Sequence, residues 1–149
     1  MQIAVIGSGV EWVTQAEEIG RLLAQRGCVV VCGGLGEVME AAARGAKEAG
    51  GTTVGVLPGL STRDANASID YAVATGTGHA RNLAVVASCE GAIAVGGKWG
   101  TAAEVAYARL LGRPVVVLGA GPPVEGEGIE RAETPEEAVR RVLDLVKAR

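Results

Sequence analysis

Residues 91–118 read GAIAVGGKWGTAAEVAYARLLGRPVVVL, and this stretch decides the fold. An apolar run of strand length at 91–96 ends in Gly96 and Gly97. An alanine-rich helical segment at 101–111 follows, and Gly112 with Pro114 stops it before a second apolar run at 114–118. Strand, glycine turn, helix and strand in that order make a crossover unit whose two strands lie parallel in one sheet.

The alternation continues on both sides of this unit. Toward the N-terminus the pattern predicts strands at 2–7, 28–32 and 53–57, separated by helices at 14–26 and 36–49. A polar loop at 59–68, a strand at 69–74 and a helix at 80–89 come next. Beyond a Gly/Pro/Glu-rich connector at 119–127, a short strand at 128–132 precedes an amphipathic helix at 135–147. Gly27 and Gly50, like Gly112, stand where left-handed helix C-terminal residues belong. The expected fold class is α/β: one domain over 1–149, Rossmann-like, with three layers and a mostly parallel sheet. Right-handed crossovers put the strand carboxyl ends along one edge, and ligands of such sheets bind there, near the switch in strand order.

Composition narrows the function classes. Of the 149 residues 48% are hydrophobic but only 3% aromatic, with no Phe, so the core must be built from Val, Ala, Leu and Ile. A formal charge of −3 with no Lys/Arg cluster gives no general attraction to a phosphodiester backbone, so nucleic acid is not an expected partner. No apolar run reaches bilayer-spanning length, and the opening MQIAVIGSG lacks the marks of a signal peptide; the expectation is a cytoplasmic protein with no membrane partner. Cys28 and Cys32, on one strand, would lie roughly 13 Å apart, beyond disulfide reach. They and Cys89 read as buried structural thiols, and no metal-ligand cluster is visible.

Three glycine-rich turns follow strands: Gly7-Ser8-Gly9, Gly33-Gly34-Leu35-Gly36, and the turn at 96–101. Glycine lets backbone approach an anion closely, and the unpaired N–H groups of the next helix supply donors and partial positive charge. The expected phosphate- or nucleotide-binding residues are Gly7, Ser8, Gly9, Gly33, Gly34, Gly96, Gly97, Lys98, Gly100 and Thr101. A dinucleotide fingerprint is absent, because Trp12 stands where its third glycine belongs and no acidic residue closes the second strand. No P-loop is present either. Thr101 and Glu104 lie one turn apart, and two readings stay open: a ligand-facing pair, or a T-x-x-E capping box. Thr14 with Glu17 and Thr134 with Glu137 repeat that spacing at other expected helix starts.

GHARN (78–82), GGKWGTAAE (96–104) and GRP (112–114) together resemble the LONELY GUY (LOG) family and the neighbouring molybdenum-cofactor-carrier-like proteins, over nearly the whole chain. The resemblance implies a Rossmann-like fold and hydrolysis of the N-glycosidic bond of nucleoside 5′-monophosphates, with Arg81 and Glu104 as the catalytic pair, no cofactor required for catalysis and no metal. A carboxylate near the sugar could stabilise an oxocarbenium-like transition state or direct a water. Gly96 stands in place of the LOG proline, Lys98 in place of its second glycine, and Asn82 in place of the lysine after its arginine. These departures look more like the carrier branch, which implies a bound nucleotide monophosphate or pterin-type cofactor without catalysis. A lysine decarboxylase reading attached to such relatives is rejected: pyridoxal chemistry needs a Schiff-base lysine, and of Lys47, Lys98 and Lys147 two fall on expected exposed helix surface. Distant kinship with the DNA-uptake protein DprA suggests single-strand binding, against which stand the acidic charge and the scarcity of stacking aromatics.

His79, the sole histidine, near the crevice, could touch a ligand or simply pack, and with no partner visible it reads as a packing residue. Arg63, Asp64 and Asn66 lie in a loop long enough to cover a ligand or simply to be solvated. Trp12 and Trp99 flank two of the glycine turns and could stack on a base or fill a subunit contact. The expected partners are a small phosphorylated ligand and further copies of the chain, as a homodimer or homotetramer.

Overall fold

Runs of Val, Ile and Ala without charge make strands that can be buried on both faces, and the glycines between them break the chain into short units. The computed structural model, which describes residues 1–149, realises this pattern. Strands β1 (Gln2–Ser8), β2 (Val29–Cys32), β3 (Thr53–Leu57), β4 (Tyr71–Ala74), β5 (Gly91–Gly96), β6 (Val115–Leu118) and β7 (Ile129–Ala132) form one sheet in the order β4-β3-β2-β1-β5-β6-β7. Every neighbouring pair is parallel.

The helices are α1 (Val13–Gln25), α2 (Val38–Glu48), α3 (Arg81–Ala87), α4 (Trp99–Leu110) and α5 (Pro135–Lys147). One sheet face, with Ile3, Val5, Ile93 and Val95, packs against α1, α2 and α5 through Ile19, Leu23, Val38 and Val142. Alternate residues of the same strands, among them Ala4, Ile6, Ala92 and Ala94, face α3 and α4 through Val85, Val86 and Val105. Helices α1 and α2 pack backbone to backbone: a Cβ added at Gly20 would collide with the carbonyl of Ala42, and one at Gly45 with that of Glu17. Edge strand β4 is held by Asp70, which accepts from Thr53 N (2.9 Å) and pairs with Lys47 (2.7 Å). The three cysteines are buried and free. No helix is long and apolar enough to cross a membrane.

Strand order reverses at β1. The chain runs outward from β1 through β2 and β3 to β4, then returns through α3 to place β5 on the other side of β1. A crevice therefore opens at the carboxyl ends of β1 and β5, where the connections leave in opposite directions.

Two helix starts differ from the sequence expectation. Helix α4 begins at Trp99 with Lys98 as N-cap, and α1 begins at Val13, so neither Thr101 nor Thr14 caps its helix. Gly96 (φ 60°) and Gly97 (φ 91°) reverse the chain sharply enough for helical geometry to begin two residues before Thr101. At α5 the box forms: Glu137 N donates to Thr134 Oγ1 (3.2 Å), while Glu133 N donates to the Glu137 carboxylate (2.8 Å).

Candidate functional site

The crevice is a cleft of about 190 Å³ built from five segments. The end of β1 gives Ile6, Gly7 and Ser8; the turn after β2 gives Gly33; α2 gives Met39; the start of α3 and the turn before it give His79, Arg81 and Asn82; and the start of α4 gives Lys98, Gly100, Thr101 and Glu104. This volume is below the roughly 300–1,000 Å³ of sites that engulf a drug-sized molecule. It suits the phosphate-bearing end of a larger ligand.

The donors come first from backbone. Ala102 N is the first amide of α4 with an acceptor, the carbonyl of Lys98 at 2.9 Å; the amides of Trp99, Gly100 and Thr101 have no protein acceptor. They concentrate partial positive charge where Lys98, exposed, adds a full one. Gly97 N donates to Ser8 O (3.1 Å), which ties this turn to the end of β1. Gly96 and Gly97 shape the turn without lining the cleft: a Cβ at the first would strike the indole of Trp12, and at the second the side chain of Thr101.

Arg81 enters from the opposite side. Its Nη1 donates to Asn82 Oδ1 (2.6 Å), and its guanidinium lies so close over Gly33 that a Cβ there would be 2.7 Å from Nη1 and 2.6 Å from Met39 Sδ. Arg81 Nε is buried without a partner. Burial holds the guanidinium below its ordinary range, opposed by Glu104 and by Cys32. Glu104, on the second turn of α4, is only 7% exposed and accepts no hydrogen bond from the protein. Burial pushes its carboxyl up to about 7, with Arg81 pulling the other way. Behind them the Cys32 thiol, pushed up to about 11 by burial, accepts from Gly34 N (3.4 Å) and stays protonated at neutral pH.

Of the residues expected from sequence, Gly7, Ser8, Gly33, Lys98, Gly100, Thr101, Arg81 and Glu104 converge on this cleft. Gly9, Gly34, Gly96 and Gly97 stand outside its lining. Met39 and Asn82 were not legible as site residues, and His79, read as packing, lines the cleft. Tertiary packing alone brings them there: α3 lies beside α4 on one face of the sheet, and the start of α2 reaches the cleft from the other.

A further link joins the turn after β1 to the start of α2. Glu37, the N-cap of α2, holds φ 57° and ψ −124°, a conformation that favours glycine, and its carboxylate accepts from Gly9 N at 2.8 Å. No sequence signal marks this residue. On the same side, Asn66 of the long loop donates from Nδ2 to Leu35 O (2.7 Å), which fastens that loop to the turn after β2. Trp12 packs against Gly96 and Gly119, whereas Trp99, beside the cleft, is 80% exposed. No group of three or more His, Cys, Asp or Glu side chains is placed to hold a metal ion.

Comparison with known proteins places this geometry. The model of the SLOG cluster4 family matches residues 1–147. An uncharacterised protein of Archaeoglobus fulgidus is 46% identical over 142 residues, covering 93% of this chain and 92% of its own. Among solved structures, the molybdenum cofactor binding protein of Rippkaea orientalis aligns with TM-score 0.88 and 31% identity over 97% of this chain and 96% of its own. The molybdenum cofactor carrier protein of Chlamydomonas reinhardtii aligns with TM-score 0.88 and 33% identity over 99% and 98%. DprA of Streptococcus pneumoniae, at 21% identity and TM-score 0.72 over 93% of this chain and 60% of its own, shares the fold.

Proposed function

This chain belongs to the SLOG cluster4 family, and from that premise we propose that its cleft binds a phosphorylated pterin-type cofactor or nucleotide as a carrier does, without turning it over. The observation that carries this reading is the first turn of α4, whose unpaired amides adjoin Lys98 in a cleft that Arg81 also lines. Those amides and the Thr101 hydroxyl take the phosphate, Lys98 adds charge at the mouth, and Arg81, steadied by Asn82, offers a planar fork to a second acceptor. The remainder of the ligand projects past Trp99. Likeness along the whole chain to proteins named for binding or carrying the molybdenum cofactor supports a pterin. Copies of this chain associate in the same reading, as a homodimer or homotetramer.

One observation favours a second reading, a LOG-like phosphoribohydrolase. Glu104 is a buried carboxyl without a partner in the same cleft as Arg81, an arrangement suited to the N-glycosidic bond of a nucleoside monophosphate. Incubation with AMP and with a pterin monophosphate, followed by chromatography, separates the two. The carrier reading expects both ligands to be recovered intact, with the pterin phosphate retained on the wild-type protein and lost from Arg81→Ala. Adenine released by wild type but not by Glu104→Ala would establish the hydrolase instead.

A further inference from the structure

Two polar side chains of the cleft are withdrawn from water on more than nine-tenths of their surface and bonded to nothing, Thr101 (5% exposed) and Glu104 (7%), and of these only Glu104 is ionisable. It stands one turn beyond the amides that face the phosphate position, on the same helix. The groups around it are Arg81 and His79 from α3 and the turn before it, Lys98 from the start of α4, and the Cys32 thiol from the end of β2. Arg81 influences it through its charge without forming an ion pair, while its Nη1 donates to Asn82. An anionic ligand entering here brings like charge toward a carboxylate that has no donor to hold it.

We propose that Glu104 engages the ligand as the neutral carboxylic acid, donating a hydrogen bond to an acceptor oxygen or ring nitrogen beside the phosphate, and so selects ligands that offer one. The inference rests on the reading of the cleft as a phosphorylated-ligand site. The proton comes from solvent, so binding takes up as much as one proton per site. The free side chain already sits near the balance point, at about 7, and a ligand that seals the cleft and adds negative charge moves it further the same way. Affinity therefore falls as pH rises above neutrality. Ionisation of the ligand phosphate, near pH 6, drives affinity in the opposite direction, so the sign is diagnostic.

The test is calorimetric titration of the wild-type protein and of Glu104→Gln with AMP and with a pterin monophosphate from pH 6.5 to 8.5, in buffers of differing ionisation enthalpy. Wild type should weaken about tenfold between pH 7 and 8.5 and take up protons on binding. Glu104→Gln, a permanent donor of the same shape, should hold the low-pH affinity throughout and take up none. Wild-type affinity that is flat or rises with pH overturns the inference while leaving the ligand reading intact. A slope that persists in Glu104→Gln also overturns it and assigns the proton to another group. No binding of either ligand by either protein at any pH overturns the reading of the cleft, and this inference with it.

Discussion

At the scale of single residues, Glu104 is a stability liability above neutral pH. Its carboxyl sits at about 7 in the folded chain against an ordinary 4.5, so the native state holds a proton that the unfolded chain releases. The sign follows directly: the fold gains from this group at low pH and loses that gain as pH rises from about 4.5 through 7. The upward shift corresponds to roughly 3 kcal/mol between those limits. Glu104→Gln, which keeps shape and removes the charge, should be more stable than wild type by about that amount at pH 8.5, with the gap closing toward pH 4.5. Urea unfolding of both proteins across the range measures it. A gap that does not change with pH would mean that the carboxyl reaches solvent in the folded chain.

Among elements, three copies of one sequence pattern behave differently, and the contrast marks what a sequence can say. Thr14-x-x-Glu17, Thr101-x-x-Glu104 and Thr134-x-x-Glu137 have the same spacing, yet only Thr134 caps a helix. Pro135 fixes the first helical residue there, whereas glycines at 96 and 97 and a short 3-10 turn at Val10–Trp12 let α4 and α1 begin early. Thr134→Ala should lower stability by about 1 kcal/mol in urea unfolding, while Thr14→Ala, at an exposed position inside α1, should stay within about 0.5 kcal/mol of wild type. Equal losses from the two would refute this distinction. The alternation of strands and helices, by contrast, was legible almost in full, because Gly27, Gly50, Gly112 and Pro114 stop their elements locally whatever the rest of the chain does. Strand order was not, since pairing joins residues as distant as Ser8 and Gly96. The phosphate end of the site could be read from its glycines. His79, Met39 and Asn82 reach the cleft only through tertiary packing, and the left-handed Glu37 carries no local signature at all.

For the whole molecule, the decisive feature is the inequality of its two helical layers. Helices α1, α2 and α5 cover one face of the seven-stranded sheet, but only α4 and the seven-residue α3 cover the other. Tyr71 and Val73 of β4, in register with Val54 and Val56, extend on this second face without a helix above them. Leu83, Tyr107 and Leu110 project from the two helices, with Leu110 80% exposed. Exposed apolar side chains on the shorter layer are what a second copy of the chain would cover, and pairing the two-helix layers would complete both at once. The cleft opens at the starts of those same helices, so Trp99 would stand beside that contact and the partner would border the ligand. Sedimentation equilibrium should give a dimer or tetramer for the wild-type chain. Tyr107→Glu with Leu110→Glu should give a monomer that keeps its helical circular dichroism, because neither side chain belongs to the buried core. A wild-type monomer at micromolar concentration, or an oligomer that survives both substitutions, would move the contact off this face and leave the second layer's exposed side chains without a role.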